Sequence, residues 1–287
     1  MRYGSVCSGI EAATAAWHHM GWEAAFFSEI EKFPCAVLQH RYPDVPLHGD
    51  FTTIKENEYG NIDLLVGGTP CQSFSVAGLR GGLDDDRGNL ALEFCRLAQR
   101  EQPRWIVWEN VPGVLSSSGG RDFGSILGAL EDFGYGLAYR VLDAQYFGVA
   151  QRRRRVFVVG YLGDWRPAAA VLFERKSLSG DGTAVREKNT GVRSVFPTLT
   201  RKCAQSYREE EGYILSADGR IRRATPLECE RLQGFPDNFT AIPWRKKGAE
   251  DCPDGPRYKA LGNSMAVPVM RWIGERINAV DDLISLL

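Results

Sequence analysis

The stretch "IDLLVGGTPCQSFSVAG", Ile62 to Gly78, passes from an unbroken apolar run into a loop of Gly, Ser and Thr that carries one thiol, Cys71, between a proline and a glutamine. A short apolar run bounded by glycines reads as a strand buried on both faces. Similar runs flank it: Tyr3 to Cys7, Ala24 to Glu29, Trp105 to Trp108, Leu137 to Leu142 and Val156 to Tyr161. Between them "EAATAAWHHM", "KFPCAVLQHRY", "NLALEFCRLAQR" and "FGSILGALEDFGY" repeat apolar positions at helical spacing. Strand and helix in alternation predict an α/β fold, a doubly wound, mostly parallel sheet covered by helices. Such sheets take their ligands at the carboxyl ends of the strands, which is where Cys71 falls.

Periodicity breaks down after the last strand. Residues 163–220 carry Gly, Ser, Arg and Lys with few apolar runs besides "AAAVLF", and read as a small irregular module. Beyond it, "TPLECERLQGF" predicts a helix capped by Thr225, with Pro226 in its first turn and Glu228 three residues past the cap. A last helix is expected from about Ala266 to Leu286, closing the chain back on the core. The predicted organisation is a large α/β domain at 1–162, a small irregular region at 163–224, and a returning segment at 225–287.

The 287 residues, 44 % hydrophobic and 25 % charged, have the composition of an ordinary globular protein. No apolar run approaches the roughly 20 residues that span a bilayer, and the start "MRYGSVCSG" lacks a secretory pattern, so a cytoplasmic location without membrane contact is expected. Seven widely spaced cysteines form no C-x-x-C pair and the four histidines add no ligand pattern, so neither a disulfide framework nor a metal site is expected. The net charge of −1 hides an asymmetry: residues 1–150 hold 11 Lys and Arg against 19 Asp and Glu, leaving the second half basic. A basic half suggests a polyanionic partner, since Lys and Arg gain by releasing counterions from phosphates; a solvated surface is the alternative.

Two groups carry chemistry. A thiol reacts as thiolate, and a site exposed at a sheet rim near cations makes that form accessible; the alternative for Cys71 is a packed structural cysteine. The strand "RWIVWENVPG" ends in Glu109 and Asn110 at the same edge. A carboxyl group beside apolar neighbours is held toward its protonated form and can donate a proton, although a capping role is open too. Thiolate and carboxylic acid on neighbouring strand ends suit covalent attack on an electron-poor ring.

Here the chain resembles the cytosine-5 DNA methyltransferases. The family's Pro-Cys-Gln stands as Pro70-Cys71-Gln72, its Glu-Asn-Val as Glu109-Asn110-Val111, and its Gln-x-Arg-x-Arg as "QRRRR", Gln151 to Arg155. "RRATPLECERLQGFPD", Arg222 to Asp237, and "GNSMAVPV", Gly262 to Val269, follow in the family's order. The shape of the first and last blocks is similar to that of prophage-type, stand-alone members.

The resemblance implies that Cys71 adds to C6 of a cytosine, that Glu109 protonates the ring at N3, and that Arg153 and Arg155 position the base. It implies S-adenosyl-L-methionine as methyl donor, held by Cys7, Gly9, Glu29, Asp50, Pro70, Leu90 and Asn263, with Glu29 accepting from ribose hydroxyls. It implies a monomer acting on double-stranded DNA, with Gln72, Arg87, Arg201 and Arg223 as contacts and further candidates at Arg193, Lys202, Arg208 and Arg222. The base must be flipped out of the stack, because the ring carbons are approached from above and below its plane. The glycine-rich "SVAGLRGGLDDDRG" is expected to close over it. An RNA cytosine-5 methyltransferase and a catalytically idle DNA-binding relative are the alternatives.

The chain departs from the family at the first turn. The usual Phe-x-Gly-x-Gly stands as Cys7-Ser8-Gly9-Ile10-Glu11, so no aromatic can stack from residue 7, and Glu11 is expected near the donor's charged end. Only 35 residues, Leu162 to Phe196, lie between the last strand and "PTLTRK", which predicts a short or degenerate target sequence.

Overall fold

The computed structural model describes residues 1–70, 90–173, 196–199, 213–215 and 221–286. Among them seven strands form one sheet in the order β3-β2-β1-β4-β5-β7-β6. They are β1 (Arg2–Val6), β2 (Glu23–Ser28), β3 (Leu47–His48), β4 (Leu64–Gly67), β5 (Trp105–Asn110), β6 (Tyr135–Asp143) and β7 (Arg154–Leu162). The first five run parallel; β7 runs antiparallel to both β5 and β6. The reversal has a simple cause. Residues 144–153 join β6 to β7 without the helical crossover that a parallel neighbour requires.

Side chains of successive strand residues point to opposite faces, and both faces are dry. Leu64, Val66, Trp105, Val107, Phe157 and Val159 pack into one apolar layer. It is covered by α1 (Ala12–Trp17), α2 (Lys32–Arg41), α5 (Trp165–Leu172) and α8 (Val267–Ser285). Leu65, Ile106, Trp108, Val156 and Val158 form the other layer under α3 (Leu90–Glu101) and α4 (Arg121–Asp132). Unbroken apolar runs such as "LLV" therefore need no polar alternation.

The chain runs outward through β1, β2 and β3, then returns to place β4 on the other side of β1. Between β1 and β4 the winding reverses, which opens a crevice above their carboxyl ends. The site is built there.

Several elements differ from the sequence reading. "AAAVLF" lies largely in α5, which packs its Ala168, Val171 and Leu172 into the first layer. A helix at Asp254–Asn263, α7, was not foreseen, because "DGPRYKALGN" carries two glycines, a proline and no apolar stripe. The helix expected at Thr225 is α6 (Pro226–Gln233), with the complete reciprocal cap between Thr225 and Glu228. A two-stranded ribbon, β8 (Tyr213–Leu215) and β9 (Ile221–Arg223), precedes it.

Candidate active site

The turn after β1 is a run of unusual backbone. Cys7, Gly9 and Glu11 have φ of +49°, +56° and +60°. Only Gly9 adopts this region without penalty; for the other two it is strain that the surroundings must hold in place. The turn is pinned to the next strand end, because the Gly9 N–H donates to Glu29 Oε2 at 2.8 Å. Glu29 Oε1 accepts from the N–H groups of Ile30 and Glu31, both at 2.8 Å, which fixes this carboxylate at the rim.

The loop after β4 is fixed from β5. Trp108 Nε1 donates to Thr69 Oγ1 at 2.9 Å, and Asn110 Nδ2 donates to the Thr69 carbonyl at 3.0 Å. Thr69 is buried while Pro70, one residue on, is exposed at the crevice. Before it, Gly68 sits so close to the acid that a Cβ there would lie 3.1 Å from Glu109 Oε2 and 2.9 Å from Met265 Cε. Cys71, Gln72, Arg87 and Arg201 lie outside the described residues, as do Arg193, Lys202, Arg208 and the glycine-rich segment expected to close.

Glu109 is 8 % exposed at the end of β5. Burial pushes its carboxyl up, and the cationic Arg155 and then Arg153 pull against that shift. Arg155 Nε stands 3.1 Å from Glu109 Oε1, yet Oε1 makes no aligned hydrogen bond among the described residues. Proximity to a cation gives Coulomb attraction without satisfying the oxygen's lone pairs.

Arg153 behaves differently from its partner in the motif. At 2 % exposure, it donates to the carbonyls of Leu199 (3.1 Å), Gly262 (3.1 Å) and Ser264 (2.7 Å). Its terminal nitrogens thus bind the late Gly-Asn-Ser block to the start of β7. Its Nε is buried without a partner among the described residues. Burial draws this guanidinium down to about 9, which leaves it cationic at neutral pH.

One cleft of ≈ 1040 Å³ gathers these groups. Cys7, Gly9, Glu29, Asp50, Pro70, Leu90 and Asn263 all line it, together with Glu109, Arg153 and Arg155. The sequence reading drew them from eight separate stretches of the chain. Asp50 caps the turn at Thr52 through Oδ1, at 3.0 Å. The Cys7 thiol is pushed up to about 12 by burial and by the Glu29 and Asp50 carboxylates, so it stays neutral. Gly68, Thr69 and Asn110 were not singled out as positioning groups; the glycine pair after a strand was the available signal.

Arg223 stands in β9 and is not among the cleft residues. Arg222 binds Glu228 through two parallel contacts of 2.7 Å, so its fork is engaged by the cap of α6. That pair, with the Thr225 amide, draws the Glu228 carboxyl down to about 2.

The model of the C-5 cytosine-specific DNA methylase family matches residues 1–190 and 181–279. The chain belongs to that family. A relative named DNA N-6-adenine-methyltransferase, from Escherichia phage P1, is 34 % identical over 458 residues, covering 96 % of this chain and 61 % of its own length. The chain thus spans less than two thirds of that relative. Type II methyltransferase M1.ScrFI of Lactococcus lactis subsp. cremoris is 32 % identical over 302 residues, covering 89 % of this chain and 72 % of the relative. In fold, the chain is similar to the crystal structure of S. pombe Dnmt2 methyltransferase, with a TM-score of 0.71 over 99 % of both chains at 16 % identity.

Membership of this family implies S-adenosylmethionine as the methyl donor. The residues present fit it: a carboxylate pinned at the end of β2, a neighbouring Asp50, apolar walls from Ile30, Pro70 and Leu90, and a turn whose glycine admits close approach. At the other end of the cleft, Glu109 Oε1 and Arg153 Nε are buried polar atoms without a hydrogen-bond partner among the described residues.

Proposed function

We propose that this chain transfers a methyl group to C5 of a cytosine turned out of duplex DNA, through a temporary bond between Cys71 and C6. The observation that carries this reading is Glu109: a buried carboxyl, held toward its acid form, on the same cleft as seven residues expected to hold the donor.

Cytosine C5 is a poor nucleophile. Addition of the Cys71 thiolate at C6, with transfer of the Glu109 proton to N3, converts the ring into a neutral enamine whose C5 is electron-rich. Glu109 becomes a carboxylate in that step, and Arg155, 3.1 Å away, offsets its charge. When bound, S-adenosylmethionine supplies the electrophilic methyl. Transfer of the C5 proton to water then expels the Cys71 thiolate, and the N3 proton returns to Glu109.

Glu29 is placed to accept from ribose hydroxyls, since Oε2 spends one lone pair on the Gly9 amide and keeps the other. Arg153 holds Asn263 at the cleft through the carbonyls on either side of it. Gln72, Arg87, Arg201 and Arg223 are assigned to DNA on the family's pattern. The phage origin of one relative supports a role on a mobile element.

The test uses duplex DNA, transfer RNA and labelled donor, with the products hydrolysed and separated by mass. 5-Methylcytosine in DNA is expected. Label only in RNA, or N6-methyladenine as the sole product, overturns the assignment; the second outcome matters because the phage P1 relative bears that name. This chain has no Pro-Pro, so the Pro-Pro-aromatic pattern of amino-group methyltransferases is absent from its sequence. A duplex with 5-fluorocytosine at the target should be trapped covalently by the native chain and not by Cys71→Ala. Sequencing of the methylated DNA should show a short or degenerate motif, and a strict motif of about six or more base pairs contradicts that expectation.

A further inference from the structure

Glu11 is the buried acidic group that the proposed reaction leaves unused; burial pushes its carboxyl up, and hydrogen bonds from Ser5 and Thr14 pull against that shift. It is 2 % exposed, at a left-handed position where the family's pattern has a glycine. Three neutral donors converge on it: Ser5 Oγ on Oε1, and the Thr14 amide (3.0 Å) and Thr14 Oγ1 (2.6 Å) on Oε2. Thr14 Oγ1, having donated its hydrogen, accepts from the Tyr3 hydroxyl at 2.7 Å. This arrangement treats Glu11 as an acceptor at both oxygens. Yet no lysine, arginine or histidine pairs with it among the described residues. A buried carboxylate without a counter-cation is costly, and so is its backbone strain.

A second, small cavity of ≈ 40 Å³ borders Glu11. Its wall includes Ser5, Ala12 and Ala13, and it shares Cys7, Gly9, Gly68, Glu109 and Asn263 with the main cleft. One water needs roughly 10–15 Å³ by this measure, so the cavity holds a small polar group and little more. It lies at the carboxyl ends of β1 and β4, between the Glu29 end of the cleft on β2 and the Glu109 end on β5.

The chemistry of the donor supplies an occupant. Its sulfonium carries three substituents. With the adenosyl group toward Glu29 and the methyl toward Glu109, the third, the amino-acid chain, is left over β1 and β4.

We propose that Glu11 is the counter-ion for the ammonium group of the methyl donor's amino-acid end, seated at the small cavity. This rests on the S-adenosylmethionine reading above. The ligand brings the one cation that the buried carboxylate lacks, and the strained turn keeps that carboxylate beside the cavity.

The test is calorimetric binding of two probes without turnover: S-adenosylhomocysteine, and its analogue with hydrogen in place of the α-amino group. The native chain should prefer the amine by about 10- to 100-fold, the range of a desolvated charge-assisted contact. Glu11→Gln should reduce that preference to within about threefold while the deaminated analogue binds as before. Glu11→Gly, which relieves the left-handed strain, should do the same and serves if the glutamine variant fails to fold. An unchanged preference, or equal weakening of both probes, overturns the proposal. If the native chain binds neither probe, it is the donor assignment that falls.

Discussion

In the proposed reaction Glu109 must be an acid when the base arrives and a carboxylate once the ring has taken its proton. Burial and two arginines act on it in opposite senses, burial raising its pKa and Arg155 and Arg153 lowering it. The sign of the consequence is fixed. The acid form is lost as pH rises through the folded-state pKa, so the rate of covalent trapping on a 5-fluorocytosine duplex should decline on the alkaline side. Arg155→Gln removes a lowering influence, so that decline should move to higher pH; a move to lower pH contradicts the assignment. Glu109→Gln should abolish the decline and slow trapping by about 100-fold or more, the usual worth of a positioned proton donor. The Glu-Asn pair was legible as a strand end beside apolar neighbours. That Asn110 ties Thr69 was not, because the partner is 41 residues away.

At the scale of elements, Thr69 after β4 is positioned by β5 rather than by its neighbours in sequence. Gly68 allows that approach: a Cβ there would press on Met265 Cε and Glu109 Oε2. The methionine end can swing aside, whereas the carboxylate is held by burial. Gly68→Ala should therefore slow trapping by at least about tenfold, as expected for an acid displaced by a fraction of an ångström. Circular dichroism should show the fold retained. The alternation of strands and helices was readable from local periodicity, and the capping box at Thr225 from four consecutive residues. α7 escaped notice, since its ten residues hold their place by packing near α2 and α6 rather than by an amphipathic pattern.

At the scale of the molecule, a buried polar network binds the end of the chain to the sheet. Gln151 Nε2 donates to the Leu232 carbonyl at 2.9 Å, and its Oε1 accepts from the Leu199 amide at 3.0 Å. Gln233 Nε2 donates to the Leu261 carbonyl at 2.6 Å, close to the Ser264 carbonyl that Arg153 also reaches. Gln233→Leu would leave these buried acceptors short of a donor, at a cost of about 2–3 kcal/mol. Urea unfolding should show that loss, together with weaker S-adenosylhomocysteine binding, because Asn263 belongs to the block so held. If the basic second half holds duplex DNA, affinity should fall on the order of 10³-fold between about 50 and about 200 mM salt. A flat salt response would place the binding elsewhere.

The residues of this chain determine, by local rules, that apolar runs become strands and that strand ends, that of Glu109 among them, face a crevice. Period and turn chemistry act over a few residues, so they can be read along the chain. The tertiary structure alone decided which arginine of "QRRRR" faces the acid and which binds the C-terminal block. It alone showed that no cation among the described residues pairs with Glu11 beside the small cavity. Those outcomes depend on carbonyls and carboxylates that reach one another only after the sheet has closed, and distance along the chain carries no record of them.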